Sequence, residues 1–231
     1  MNLYSNIKLV IVSGGMGKRM GKNIPKQFLS INRKPIIIHT IERFLEIFPP
    51  SNIIIVIKEN QIPQLNTFLQ EYNIHGISIA LGGEHRTDSV RNGLQTIKNQ
   101  DSQFSGYVLI HDAVRPFVKK DFLEQFIKKL YEKQNLITTC PVKNSLRRIT
   151  EKGTQVVNRE EYLEVQTPQG FLFQEIYEAY INSSQTFFDD ASLYEHYYQK
   201  PVYNIDYIPE NIKITTVVDL ILADYLSQAG F

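Results

Sequence analysis

Lys18, Arg19 and Lys26 cluster in and just after a glycine-rich stretch, Ser13-Gly14-Gly15-Met16-Gly17-Lys18-Arg19-Met20-Gly21, with Pro25-Lys26-Gln27 closing the set. Glycines let a backbone take unusual torsions and let a ligand approach the main chain. Exposed amides in such a turn form a concavity for anions. Three cations beside that concavity suit a polyphosphate. An ordinary glycine-rich turn with surface cations is the plainer reading. Two familiar phosphate motifs do not fit. No G-x-x-x-x-G-K-[ST] sequence is present, and G-x-G-x-x-G fails because its third glycine position is Met20.

Other polar groups gather at intervals. Asp112 and Arg115 lie in His111-Asp112-Ala113-Val114-Arg115-Pro116. A carboxylate there could hold a sugar hydroxyl or a Mg²⁺ that bridges phosphates, or pair with Arg115 to lock the turn. His111 reads as a structural hydrogen-bonding group, since no His or Cys partner stands at metal spacing. Gly82-Gly83-Glu84-His85-Arg86-Thr87-Asp88-Ser89 offers amides, a hydroxyl and a carboxylate at a helix start; it suits a nucleobase edge or simple helix capping. Lys213, between Ile212 and Ile214, either snorkels to solvent or meets an anion. Asp189-Asp190 reads as a solvated helix start rather than a metal pair. No Ser-His-Asp order and no G-x-S-x-G elbow is found. What remains is phosphoryl or nucleotidyl transfer, in which catalysis is chiefly positioning and charge stabilisation.

The elements that must carry these groups alternate. Apolar runs predict strands over 8–13, 52–57, 77–81, 107–110 and 136–140, and 3.6-residue periodicity predicts helices between them, the first from about Pro35 to Phe48. This alternation predicts an α/β fold: a mainly parallel, twisted sheet with helices on both faces and right-handed crossovers. Ligands in such sheets bind beyond the carboxyl ends of the strands. Gly14–Arg19, Gly82–Ser89 and His111–Arg115 each follow a strand, so one rim should collect them. After Pro141 the rhythm breaks. Residues 146–159 look like a β-hairpin around Gly153, with little apolar surface of its own, so it should lean on something, such as a second subunit. Gln166–Phe171 reads as a turn-rich return, 202–207 as a strand, 211–215 as extended, and Val217–Tyr225 as a last helix capped by Thr215 or Thr216.

The chain has 231 residues, 42% hydrophobic and 21% charged, enough for one domain over 1–231 with a hairpin arm at 141–162. A net charge of +1 gives no basic field for nucleic acid. The single cysteine, Cys140, excludes an internal disulfide and suits a reducing cytoplasm, as a small core residue rather than a nucleophile. Neither a signal peptide nor a membrane span is expected.

Taken together, the motifs resemble a known family. G-G-x-G-K-R-M with P-K-Q, G-G-x-x-R-x-D-S-V-x-x-G-L, H-D-A-V-R-P-F, P-V-K-x-S, Q-T-P-Q-x-F, D-D-A-S and N-I-K-I-T run in order from Gly14 to Thr215. The set is similar to that of the 2-C-methyl-D-erythritol 4-phosphate cytidylyltransferases of the non-mevalonate isoprenoid pathway, within the sugar-nucleotidyltransferase superfamily and its Rossmann-like sheet. The resemblance implies transfer of CMP from CTP to the polyol phosphate, with release of pyrophosphate and with Mg²⁺. It implies that Arg19, Lys26 and Lys213 stabilise charge at the α-phosphorus. Ser13, Gly14, Gly15, Gly17 and Lys18 would bind CTP, with Gly83, Glu84 and Ser89 around the cytosine. Asp112 and Arg115 would lie beside the ribose or the polyol phosphate, with Ser145 also on the substrate side. Mg²⁺ would be held mainly by CTP phosphates, with Asp112 as a candidate ligand. Arg159 would reach the substrate phosphate of a neighbouring subunit, which implies a homodimer through the arm. Three positions depart from the usual family pattern. Asn144-Ser145 replaces Asp-Thr, Phe188 replaces a substrate-contacting Thr, and Ser13-Gly14-Gly15 replaces Ala-Ala-Gly. Ribitol-5-phosphate cytidylyltransferase shares the phosphate loop and the His111–Phe117 run and is the close alternative; a silent nucleotide-binding regulator is the alternative of another class. Arg86–Val90, Pro141–Lys143 and Val157–Arg159 fit the isoprenoid enzyme better.

Overall fold

A computed structural model describes residues 4–13 and 24–231. In chain order these form β1 (Ile7–Val12), β2 (Ser30–Ile31), β3 (Lys34–Pro35), α1 (Ile36–Leu45), β4 (Ile53–Ile57), α2 (Ile62–Glu71), β5 (Ser78–Leu81), α3 (Arg86–Gln100), β6 (Tyr107–Asp112), α4 (Lys120–Lys133) and β7 (Asn135–Pro141). There follow β8 (Arg147–Thr150), β9 (Gly153–Val156), β10 (Leu163–Leu172), α5 (Phe173–Asn182), α6 (Asp190–Tyr198), β11 (Tyr203–Asp206) and α7 (Val217–Gln228). Seven strands make the main sheet, in the order β11-β7-β10-β6-β1-β4-β5. Every pairing in it is parallel except those of β10, which runs antiparallel to both β6 and β7. The expected Rossmann-like α/β fold is therefore present.

The strands are legible because both faces are covered, which favours continuous β-branched runs. In β1, Ile7, Leu9 and Ile11 enter the core under α1, α2 and α4, while Val10 and Val12 enter the one under α3, α5 and α6. Ile53 through Ile57 are all fully buried. Each such side chain contributes about 1.5–3 kcal/mol relative to exposure. A third cluster, Leu29, Ile31, Val114, Phe117, Ile214 and Leu226, seats α7 and the segment before it against the rim. Among the described residues, no helix is long and apolar enough to cross a membrane.

Two expectations need correction. Gln166–Phe171 is not a turn-rich return but the inner part of β10, in the middle of the sheet. Its polar residues are buried because distant groups satisfy them. Asn211 Nδ2 donates to Gln166 Oε1 (2.8 Å), and Gln169 Oε1 accepts from Ala191 N (2.9 Å). The register shifts between Val165 and Gln169, around a cis Thr167–Pro168 bond. The second correction concerns Asp190, which is fully buried rather than solvated. The expected hairpin is present as β8–β9, paired from Arg147↔Val156 to Thr150↔Gly153, its residues exposed apart from half-buried Thr150.

Candidate active site

The sheet order reverses at β1. The chain proceeds from β1 to β4 and β5 on one side, then returns to place β6 on the other. A crevice outside the carboxyl ends at such a reversal is where open α/β sheets bind ligands. The register pairs Val12 with Asp112, so Ser13 and Asp112 lie side by side on that rim. Ser13 is buried. Its amide donates to Val56 O (2.8 Å), and its carbonyl accepts from Gln27 Nε2 (3.1 Å). Gln27 also donates to Gln61 Oε1 (2.8 Å), so the Pro25-Lys26-Gln27 turn is bolted to the end of β1. Half-buried Lys26 is placed beside this exit. The Ser13 hydroxyl is buried and has no hydrogen-bond partner among the described residues. Gly14, Gly15, Gly17, Lys18 and Arg19 lie outside the described residues.

Asp112 is the centre of a charged cluster. Its carboxylate meets Lys213 Nζ at 2.8 Å, Arg86 Nε at 3.4 Å and Arg115 Nε at 3.6 Å. Burial alone would raise its pKa, but these three cations hold it well below the usual carboxylate range. Arg115 is pinned by donating from Nη1 to Asn211 O (2.8 Å). Burial lowers its pKa, Asp112 opposing the shift. Lys213 is held from both sides: buried Asn211 donates to Thr167 O (3.0 Å), and Ile214 N donates to Val114 O (3.0 Å). The reason an apolar strand-like run presents a lysine is therefore local. Ile214 enters the third core cluster while Lys213 turns to the rim.

His111 beside it is fully buried, and burial pushes its pKa down to about 4. Its Nε2 lies 3.0 Å from Arg115 O and its Nδ1 3.0 Å from Thr167 Oγ1. A carbonyl can only accept, so Nε2 carries the proton and Nδ1 accepts from the threonine hydroxyl. That hydroxyl also accepts from Asp112 N (3.1 Å). The structural role expected for His111 holds.

Gly83 and Ser89 meet in the loop before α3. Ser89 Oγ accepts from Gly83 N (3.1 Å) and donates to His85 O (3.1 Å), so the hydroxyl braces the loop from within. A Cβ on Gly83 would sit 2.2 Å from Asp88 Cβ, a contact that only glycine avoids. Glu84 is exposed. Between Gly83 and Ser89 stands Arg86, to which sequence reasoning gave no role. Its guanidinium bonds both oxygens of Asp190 (2.9 and 2.7 Å) while Nε faces Asp112. Buried Tyr180 also donates to Asp190. The signal for Arg86 was its place in the second motif. Asp190 stood out in the sequence only as part of the Asp189-Asp190 pair and the D-D-A-S motif; its partners lie 104 and 10 residues away.

Arg86, Asp112, Arg115, Thr167, Phe188 and Lys213 are among the residues lining one cleft of about 380 Å³. Ser145 and Arg159 are not. Both are exposed around the arm, with Arg159 Nη1 donating to Lys143 O (2.6 Å). Both Asp112 oxygens face cations in this structure, so the carboxylate is the anionic hub of a cationic cluster. Among the described residues no group of three His, Cys, Asp or Glu side chains could hold a metal by itself.

Comparison with known proteins gives the family. The family model described as 2-C-methyl-D-erythritol 4-phosphate cytidylyltransferase matches residues 7–228. Proteins of that name from Azobacteroides pseudotrichonymphae and Phocaeicola vulgatus are each 38% identical, over 94% and 96% of this chain and 97% and 99% of their own. Among solved structures, a 4-diphosphocytidyl-2C-methyl-D-erythritol synthase from Anaerococcus prevotii superposes with a TM-score of 0.83 at 26% identity, covering 98% of both chains. A near full-length family match, two relatives well above 30% identity and a shared fold together place this chain in the 2-C-methyl-D-erythritol 4-phosphate cytidylyltransferase family.

Proposed function

We propose that the chain transfers CMP from CTP to 2-C-methyl-D-erythritol 4-phosphate, giving 4-CDP-2-C-methyl-D-erythritol and pyrophosphate for isoprenoid synthesis. The observation that carries this reading is the convergence of Lys213, Arg86 and Arg115 on Asp112, next to the exit of β1, in a chain of this family. An oxygen of the polyol phosphate attacks the α-phosphorus of CTP in line. A new P–O bond forms, the bond to the bridging oxygen of the β-phosphate breaks, and the electron pair leaves with pyrophosphate. Such transfer depends on positioned cations that meet charge as it develops.

In this reading Arg19 and Lys26 act at the α-phosphorus with Lys213. The backbone of Ser13 to Gly17 and Lys18 cradle the triphosphate. The loop from Gly83 to Ser89 flanks the cytosine. An arriving phosphate competes with Asp112 for the Lys213 ammonium, and the freed carboxylate accepts from a hydroxyl. Mg²⁺ belongs with the CTP phosphates. The arm supplies Arg159 and Ser145 to the neighbouring subunit of a homodimer, a reading supported by exposed apolar groups on and next to it, Ile149 and Val156 above all. One cysteine in the whole chain suits a reducing cytoplasm.

The test is pyrophosphate release from CTP with Mg²⁺, run in parallel with methylerythritol phosphate and ribitol 5-phosphate. Release with the first alone is expected. Release with ribitol 5-phosphate alone would move the chain to polyol activation for cell-wall polymers, and CTP binding without turnover would make it a silent regulator.

A further inference from the structure

Most of the residues lining the cleft are charged or hydrogen-bonding types, and such groups orient phosphates and hydroxyls. Two lining residues are different. Phe188 is 100% exposed, and Val165 is 42% exposed. A fully solvated phenylalanine ring in the lining of a cleft that also holds Arg86, Asp112, Arg115 and Lys213 is apolar surface that no other described residue covers. Its root is fixed. The next residue, Asp189, caps α6 by accepting from Ser192 N (2.9 Å) and accepts from Gln169 Nε2 of β10 (3.0 Å). The backbone beneath the ring is thus tied to the strand that also carries Val165. From these observations we propose that Phe188, with Val165 of the same lining, is the specificity element that recognises the methyl branch of the polyol phosphate. The inference rests on the proposed function.

The physical argument is one of discrimination. Hydrogen-bonding groups treat a branched and an unbranched tetritol phosphate alike, because both carry the same phosphate and hydroxyls. Apolar contact distinguishes the methyl, and Phe188 and Val165 are the two residues with wholly apolar side chains among the cleft lining. One buried methylene-sized group corresponds to about a fourfold difference in binding.

The experiment compares 2-C-methyl-D-erythritol 4-phosphate with D-erythritol 4-phosphate as acceptors, in the parent protein and in Phe188→Ala and Phe188→Leu. The substituted side chain is wholly exposed, so folding should survive. The parent should favour the methylated acceptor. Phe188→Ala should reduce that preference by about fourfold or more, through a higher KM for the methylated acceptor, with the KM for CTP holding. Phe188→Leu, which keeps apolar surface, should retain most of the preference. An unchanged preference in Phe188→Ala, or an equal loss with both acceptors, would overturn the proposal. A parent protein that used neither acceptor would instead refute the proposed function and this inference with it.

Discussion

His111 and Asp112 are adjacent, buried, and both less protonated than in water, for different reasons. Burial excludes the imidazolium from His111, whereas surrounding cations keep Asp112 ionised against its burial. The consequences for stability fall in different pH windows. An unfolded histidine titrates near 6.5, and the folded His111 near 4. Between those values the unfolded chain takes up a proton that the native chain refuses, so stability falls as the pH drops from 6.5 towards 4, by about 3 kcal/mol at most. Denaturant midpoints should therefore decline from pH 7 to pH 4.5, and His111→Gln should remove most of that decline. Half-buried His39, lowered in the same direction, accounts for a remainder. An identical decline in His111→Gln would contradict this assignment. The Asp112 contribution is present above an unfolded pKa of about 3.9 and is lost only below it.

At the scale of elements, Arg86 is the tie. It sits in the first turn of α3, grips the first residue of α6 and faces the last residue of β6. Removing it would leave the Asp190 charge buried without its cation. Arg86→Met should cost about 3–5 kcal/mol in chemical denaturation. The double variant Arg86→Met, Asp190→Leu should regain much of it, because no unpaired charge remains. A single variant within 1 kcal/mol of the parent, on the order of a surface pair, would show that the tie is weak. This network also marks the limit of local sequence reading. β1, β4 and β6 are legible because burial on both faces demands unbroken apolar runs. β10 is equally central but spells Gln166-Thr167-Pro168-Gln169-Gly170, residue types associated with turns, because its side chains are satisfied by Asn211, His111 and Asp189. Nothing within a short window reveals those partners. Asp112, Arg115 and Lys213 were legible as candidates because each follows or interrupts an apolar run. Phe188 was legible only as a departure from a family pattern.

On the scale of the whole molecule, the arm is one feature that the single chain leaves unexplained by its own packing. In β8 and β9 the register puts Ile149 and Val156 on one face, where they are 86% and 75% exposed. Burying that face against a second copy is the simplest use for it. Sedimentation should give a dimer, and Ile149→Asp with Val156→Asp should shift it towards monomer. In the dimer, Arg159→Ala should raise the KM for the polyol phosphate more than that for CTP. A parent protein that sediments as a monomer would remove the basis for both expectations.

The root of the arm has a different consequence. It leaves the sheet at Pro141 and re-enters at Leu163, and these two residues face each other in the β7–β10 ladder. The whole excursion is therefore a loop whose ends are already neighbours, and loop length adds little to the entropy of closing it. The segment can lengthen, shorten or be exchanged between relatives while the strands beneath keep their register.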